Sequence, residues 1–231
     1  MPDITVAAKD GGSFSAYLAK PAAGGGPGIL ICQEIFGVNH VMRDLADGFA
    51  RAGYLAVCPD LFWRQEPGIQ ITDKTDAEWA RAFELYQGFD EAKGVDDLLA
   101  TLAHLRALEG CSGKAGSVGY CLGGKLAYLM ATRSDADCNV GYYGVGIDAA
   151  LDEAKTISKP LMLHIAEKDQ FVPAEAQQKV HAALDGHPQV TLYDYKGMDH
   201  AFARVGGAHY DKAAADLANQ RTAEFFRKHL S

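Results

Sequence analysis

Short, mostly apolar runs alternate with amphipathic stretches along nearly the whole chain. Residues 28–32, 55–58, 115–120, 140–143, 161–165 and 190–195 are such runs, bounded by glycine, proline or charged positions. Strands that are apolar on both faces belong in a parallel sheet covered by helices. Residues 41–52, 94–108, 124–132, 174–184 and 210–229 carry apolar positions at helical spacing. In the second of these, Leu98, Leu99, Leu102 and Leu105 fall on one side of a 3.6-residue period. Near the start, residues 4–8 and 14–19 alternate loosely around Asp10-Gly11-Gly12, the pattern of an antiparallel hairpin at a sheet edge. The whole predicts an α/β protein: a mainly parallel, doubly wound sheet with helices on both faces and an N-terminal antiparallel hairpin. With no internal repeat and no dividing linker, residues 1–231 are expected to form a single domain.

Residues 60–93 interrupt the rhythm with Trp63, Trp79, Phe83, Tyr86 and Phe89 among mixed loop and helix. Two readings stand side by side: a substrate cap over the strand ends, or a covering helix whose aromatics are core.

Charge and cysteine content narrow the function classes. A formal net charge of −8 argues against nucleic-acid or anionic-membrane partners, leaving room only for a small local positive patch. Met1-Pro2-Asp3-Ile4 opens no basic-then-apolar leader, and no run of about 18 apolar residues occurs, so a cytoplasmic protein is expected. Cys32, Cys58, Cys111, Cys121 and Cys138 form an odd set without a C-x-x-C pair, which suits free thiols. Cys32 and Cys58 end apolar runs and read as small buried hydrophobes.

Cys121 has a different setting. It lies in Gly119-Tyr120-Cys121-Leu122-Gly123, directly after the run 115–120 and before a helical pattern. That is the form of a nucleophile elbow, a sharp strand-to-helix turn whose glycines avoid Cβ collisions. The Leu122 N–H would begin the helix and offer an oriented donor to an anion forming beside the sulfur. The base and the orienting acid follow in the order nucleophile, acid, histidine. Asp169 lies after the run 161–165, with Glu167 and Asp199 as rival carboxylates, and His200 lies after the run 190–195. His164, in mid-strand, reads as structural. No metal-binding cluster, Walker loop or dinucleotide fingerprint is present, so no metal and no cofactor are expected.

With these residues in place, the chain resembles the dienelactone hydrolase (carboxymethylenebutenolidase) family over nearly its whole length. The stretches that carry the resemblance are Gln33-Glu34-Ile35-Phe36-Gly37, Cys58-Pro59-Asp60-Leu61, Gly119 to Gly124, Gly141-Tyr142-Tyr143-Gly144 and His200-Ala201-Phe202-Ala203-Arg204. The resemblance implies an α/β-hydrolase fold and a carboxylated five-membered enol-lactone substrate. This dienelactone, an intermediate of (chloro)catechol breakdown, would be opened to maleylacetate through a thioester on Cys121. It further implies that the Ile35 N–H joins that of Leu122 in the oxyanion hole, and that Glu34 contacts the resting thiol and takes its proton when substrate binds. Phe36 and Tyr143 would line the substrate site, and Arg204 would bind its carboxylate. A second arginine of the family has Trp79 at its place. Arg81 stands two residues on, about 200° around a helix, with an ion pair to Glu78 or Glu84 as its other reading. A monomer acting on a small molecule is expected. The alternatives are hydrolysis of another small activated lactone or ester, and a thiol-based binding or redox-sensing protein without turnover.

Overall fold

The computed structural model describes residues 3–231, so the leader reading at Met1 and Pro2 lies outside the described residues. The chain resolves into two compact units, Met1–Ala115 and Gly116–Ser231.

The first unit opens with β1 (Asp3–Ala7) and β2 (Ser13–Ala19), then β3 (Gly26–Cys32), helix α1 (His40–Arg51), β4 (Leu55–Pro59), and helices α2 (Asp76–Gln87) and α3 (Glu91–Ala107). Its strands lie in the order β1-β2-β4-β3, with β1–β2 and β2–β4 antiparallel and β3–β4 parallel. The hairpin expected at an edge is therefore there. Every residue of β4 is buried, as are the last five of β3, because α1 and α3 both pack on these two strands. Asn39 caps α1, accepting from the Val41 and Met42 amides, and Asp90 caps α3, accepting from the Lys93 amide. Leu98, Leu102 and Leu105 are buried, whereas Leu99 at the rim of that stripe is half-buried.

The interrupting segment divides between the two readings made of it. Phe62 is fully buried against Phe89, and Trp63 stacks on Phe14, so this part is core. Trp79, on α2, instead meets Phe36 edge-on at 5.0 Å and stacks on the partly exposed Phe83 at 5.6 Å.

The second unit carries β5 (Cys111–Tyr120) from Gly116 onward, α4 (Leu122–Arg133), β6 (Asn139–Tyr142), a 3₁₀ segment (Ile147–Thr156), β7 (Leu161–Ala166), α5 (Ala174–Leu184), β8 (Val190–Tyr195) and α6 (Lys212–Leu230). Its strands run β5-β6-β7-β8, all parallel, with β8 last in the order. The 3₁₀ segment was not expected; it begins at left-handed Gly146 and is broken at Ala150, so no long helical period marks it. The run 140–143 ends as a strand at Tyr142, because Tyr143 turns to a φ of 38°. His164 is buried on β7 between Tyr195 and Thr222, and burial, with the charge of Arg221, holds its pKa down to about 3. Cys32, Cys58 and Cys138 are buried thiols pushed well up by desolvation, hence unreactive. Among the described residues no helix is long and apolar enough to cross a membrane.

Candidate active site

The chain leaves β5 at Tyr120 and enters α4 at Leu122, so Cys121 alone makes the turn. It does so at φ 57° and ψ −117°, a conformation that costs a side-chain-bearing residue on the order of 1–3 kcal/mol. Two backbone bonds hold it there: the Cys121 N–H donates to the Tyr142 carbonyl at 3.1 Å, and its own carbonyl accepts from Gly124 at 2.9 Å. Such a turn needs α4 to sit directly on β6. A Cβ at Gly124 would lie 2.4 Å from the Tyr142 carbonyl oxygen and 2.8 Å from the Gly144 Cα, so only glycine fits. Leu122, as first residue of α4, has an N–H without an intrahelical acceptor, and no side chain caps this helix. An oriented donor at the positive end of a helix thus adjoins the sulfur.

Asp169 and His200 come from the loops after β7 and β8. The Asp169 carboxylate, 5% exposed, uses both oxygens: Oδ1 accepts from the Phe171 and Val172 amides at 2.8 and 3.2 Å, and Oδ2 lies 2.8 Å from Nδ1 of His200. The carboxylate is aimed by its own loop, and it places the imidazole. The rival carboxylates brace backbone instead. Asp199 accepts from the His200 amide at 2.6 Å and the Gln170 amide at 3.1 Å, joining the two loops, and Glu167 accepts from the Gly197 amide at 2.7 Å. Burial works against the Asp199 charge, but those two backbone donors outweigh it and hold its pKa low.

The His200 ring is packed edge-on by Phe171 at 4.8 Å and Tyr143 at 5.1 Å. Burial alone would lower its pKa. The negative charge and partial hydrogen bond of the Cys121 sulfur, with the bond to Asp169, outweigh burial and raise it to about 10. The sulfur is near enough to act on the ring, yet Nε2 is buried without a closed hydrogen bond. Resting catalytic contacts are commonly loose in this way. Cys121, Tyr143 and Ala201 are the three non-glycine residues with positive φ among those described; one is the thiol, one packs on His200, and one follows it. Backbone strain of this kind collects where function requires a fixed geometry.

The remaining predicted residues fall in two places. Arg204, 8% exposed, sits in the turn after His200, its N–H donating to the Ala201 carbonyl at 2.9 Å. Glu34, Ile35 and Phe36 belong to the first unit, just past β3, all buried. Gln33, part of the stretch that carries the resemblance but given no role by it, fixes that loop: its Nε2 donates to the Glu34 carbonyl at 3.3 Å and its Oε1 accepts from the Leu61 amide at 3.0 Å. Arg81, half-exposed on α2, pairs with Glu84 and Glu66. The pairing with Glu84 is the ion-pair reading given to Arg81 beside that of a substrate contact. Among the described residues no group of three or more His, Cys, Asp or Glu side chains is placed to hold a metal ion.

Comparison with known proteins bears on all of this. The profile of the Dienelactone hydrolase family matches residues 14–230. A provisionally named carboxymethylenebutenolidase of Azospirillum brasilense is 58% identical over 236 residues, covering 100% of each chain. A carboxymethylenebutenolidase of Pseudomonas sp. (strain P51) is 39% identical over 225 residues, covering 97% of this chain and 94% of that one. A solved structure, of a provisionally named dienelactone hydrolase from Klebsiella pneumoniae, superimposes with a TM-score of 0.85 at 26% identity, covering 98% of each chain. The fold is therefore of the α/β-hydrolase class, as the family resemblance implied, and its mainly parallel sheet is the one the alternation of runs called for.

Proposed function

The chain belongs to the dienelactone hydrolase family and is a carboxylic ester hydrolase, and from that premise we propose that it opens a carboxylated enol-lactone, dienelactone, to maleylacetate through a Cys121-His200-Asp169 triad. The observation that carries this reading is the 2.8 Å bond between Asp169 and a His200 whose pKa is raised by the sulfur at the elbow. A raised His200 keeps its proton, ready to pair with the thiolate that forms once the thiol proton has passed to Glu34.

In this mechanism the Cys121 sulfur forms a bond to the lactone carbonyl carbon, and the electron pair displaced onto oxygen is met by the Leu122 N–H, joined by the Ile35 N–H that the resemblance assigns. The carbonyl re-forms as the ring C–O bond breaks, leaving a thioester and an enolate. An enolate is a stable leaving group, and the His200 imidazolium supplies its proton. Acylation has by then consumed the sulfur's charge. The influence that held the proton on His200 is gone, burial reasserts itself, and the neutral ring can take a proton from water as it attacks the thioester. Collapse returns the thiolate and the imidazolium, for a net addition of one water to the lactone. Arg204 pairs with the substrate carboxylate, and Glu34, in the role the resemblance gives it, takes the thiol proton as substrate binds and returns it to the sulfur when product leaves.

A second reading, hydrolysis of another small activated ester, draws on Arg81: its pairing with Glu66 and Glu84 leaves Arg204 as the single proposed cation for a carboxylate. Following loss of the conjugated chromophore of cis- and trans-dienelactone with purified enzyme tests the choice. Turnover of either isomer supports the first reading, and turnover of aryl esters with none of either lactone supports the second.

A further inference from the structure

We propose that the groove between α6 and the last strand β8 is a second ligand site, shaped for a carboxylate borne on a planar, apolar body such as an aromatic acid. The groove is open to solvent and offers about 400 Å³, within the usual size of small-molecule sites. Met162, Pro188, Tyr193 and Phe225 give the apolar part of a lining that is mostly polar, and Arg221 and Lys228 supply positive charge.

Arg221 is the residue that selects the ligand. Its guanidinium centre lies 3.9 Å from the Tyr193 ring centroid and 5.5 Å from that of Tyr195, and its Nη1 donates to the Tyr195 hydroxyl at 3.2 Å. Among the described residues no carboxylate pairs with it. A guanidinium has five N–H donors, so most of this half-buried fork is unclaimed, in a geometry that suits a bidentate carboxylate.

The fork is also held in place from below. Because the Tyr195 hydroxyl accepts from Arg221, its single proton must go to Nδ1 of His164, 2.8 Å away. His164 then carries its proton on Nε2 and donates to Thr222 Oγ1 at 2.9 Å. Thr222 in turn donates to the Tyr142 hydroxyl at 2.6 Å, which donates to Asn219 Oδ1 at 3.0 Å. The chain has one direction throughout and leaves each of these hydroxyl and ring protons bonded, so the Tyr195 hydroxyl is fixed as the acceptor that positions Arg221. A preorganised cation loses little entropy on binding an anion.

The other charges of the groove do not cancel this. Glu224 is its single acid and is engaged by Gln220 at 2.9 Å. His229 is pushed below its ordinary pKa by burial and by the Lys228 charge, so it is neutral at pH 7. The groove is thus locally positive on a chain whose net charge is −8. The Tyr193 and Phe225 rings beside the fork favour an aromatic carboxylate over a fully hydrated anion such as phosphate.

The experiment is a titration of ¹⁵N-labelled enzyme with benzoate, benzamide and inorganic phosphate, read from backbone amide shifts. Benzoate should shift the Tyr193, Arg221 and Lys228 amides saturably, with an apparent Kd at least about tenfold below those of benzamide and phosphate. R221Q should weaken benzoate at these amides by about ten- to a hundredfold, with R221K, which keeps charge but not the fork, in between. The rest of each variant's spectrum reports its fold. Benzoate shifts confined to the amides around Cys121 and His200, equal binding of benzamide or phosphate, or unchanged binding in R221Q would each overturn the proposal.

Discussion

Asp169 holds His200 by one oxygen and its own loop by the other. Oδ2 meets Nδ1 of the ring at 2.8 Å, while Oδ1 takes the amides of Phe171 and Val172. The division of labour matters because the carboxylate can orient the imidazole only if it is itself immobile. In Asp169→Asn the loop bonds survive, but Nδ1 faces an amide that presents either a donor or a weaker acceptor. We expect kcat/KM on dienelactone to fall on the order of 10³-fold with little change in thermal stability. A loss below about tenfold would mean that another group orients the ring.

The pH dependence follows from the raised His200. A histidine whose folded pKa lies above its unfolded value of about 6.5 contributes stability in full below that value and loses it as pH rises through the folded pKa, here about 10. The imidazolium form of His200 should therefore persist across neutral pH and be lost near pH 10. Histidine ring NMR should show His200 titrating in that range, and Cys121→Ala, which removes the first of the raising influences, should move the titration downward. An unmoved titration in the variant would mean that the sulfur's charge does not act on the ring.

Much of this site could be read from the sequence because it is local in origin. The elbow needs a strand, a helix and glycines within a few residues of Cys121, and Asp169 and His200 each follow an apolar run. What could not be read depends on distant partners. Arg81 is claimed by Glu66 fifteen positions earlier, Asp199 joins the loops of Gln170 and His200, and Gln33 acts by reaching Leu61. The 3₁₀ segment at Ile147–Thr156 lacks a long period and escapes pattern reading altogether.

Gly124 tests the packing beneath the elbow. Gly124→Ala places a methyl 2.4 Å from a backbone oxygen of β6 that cannot move without disturbing its bond to Cys121. We expect destabilisation of about 1–3 kcal/mol by chemical denaturation. The folded fraction should also lose activity, because α4 is pushed off β6 at the nucleophile. Wild-type stability in this variant would contradict the close contact.

Arg204→Ala separates carboxylate binding from general support of the site. The proposal predicts a loss of about ten- to a hundredfold in kcat/KM on carboxylated lactone and a much smaller loss on a neutral ester of similar size. Equal losses on both would show that Arg204 acts through the loop it shares with His200.

The central claim is that Cys121 becomes acylated. Mixing enzyme and dienelactone, quenching in acid within the first turnovers and weighing the Cys121 peptide by mass spectrometry tests it directly. The account predicts a substrate-sized adduct on Cys121 that decays with turnover and is absent from Cys121→Ala, which should also be inactive. Full activity in Cys121→Ala with no adduct on the wild-type peptide would contradict it.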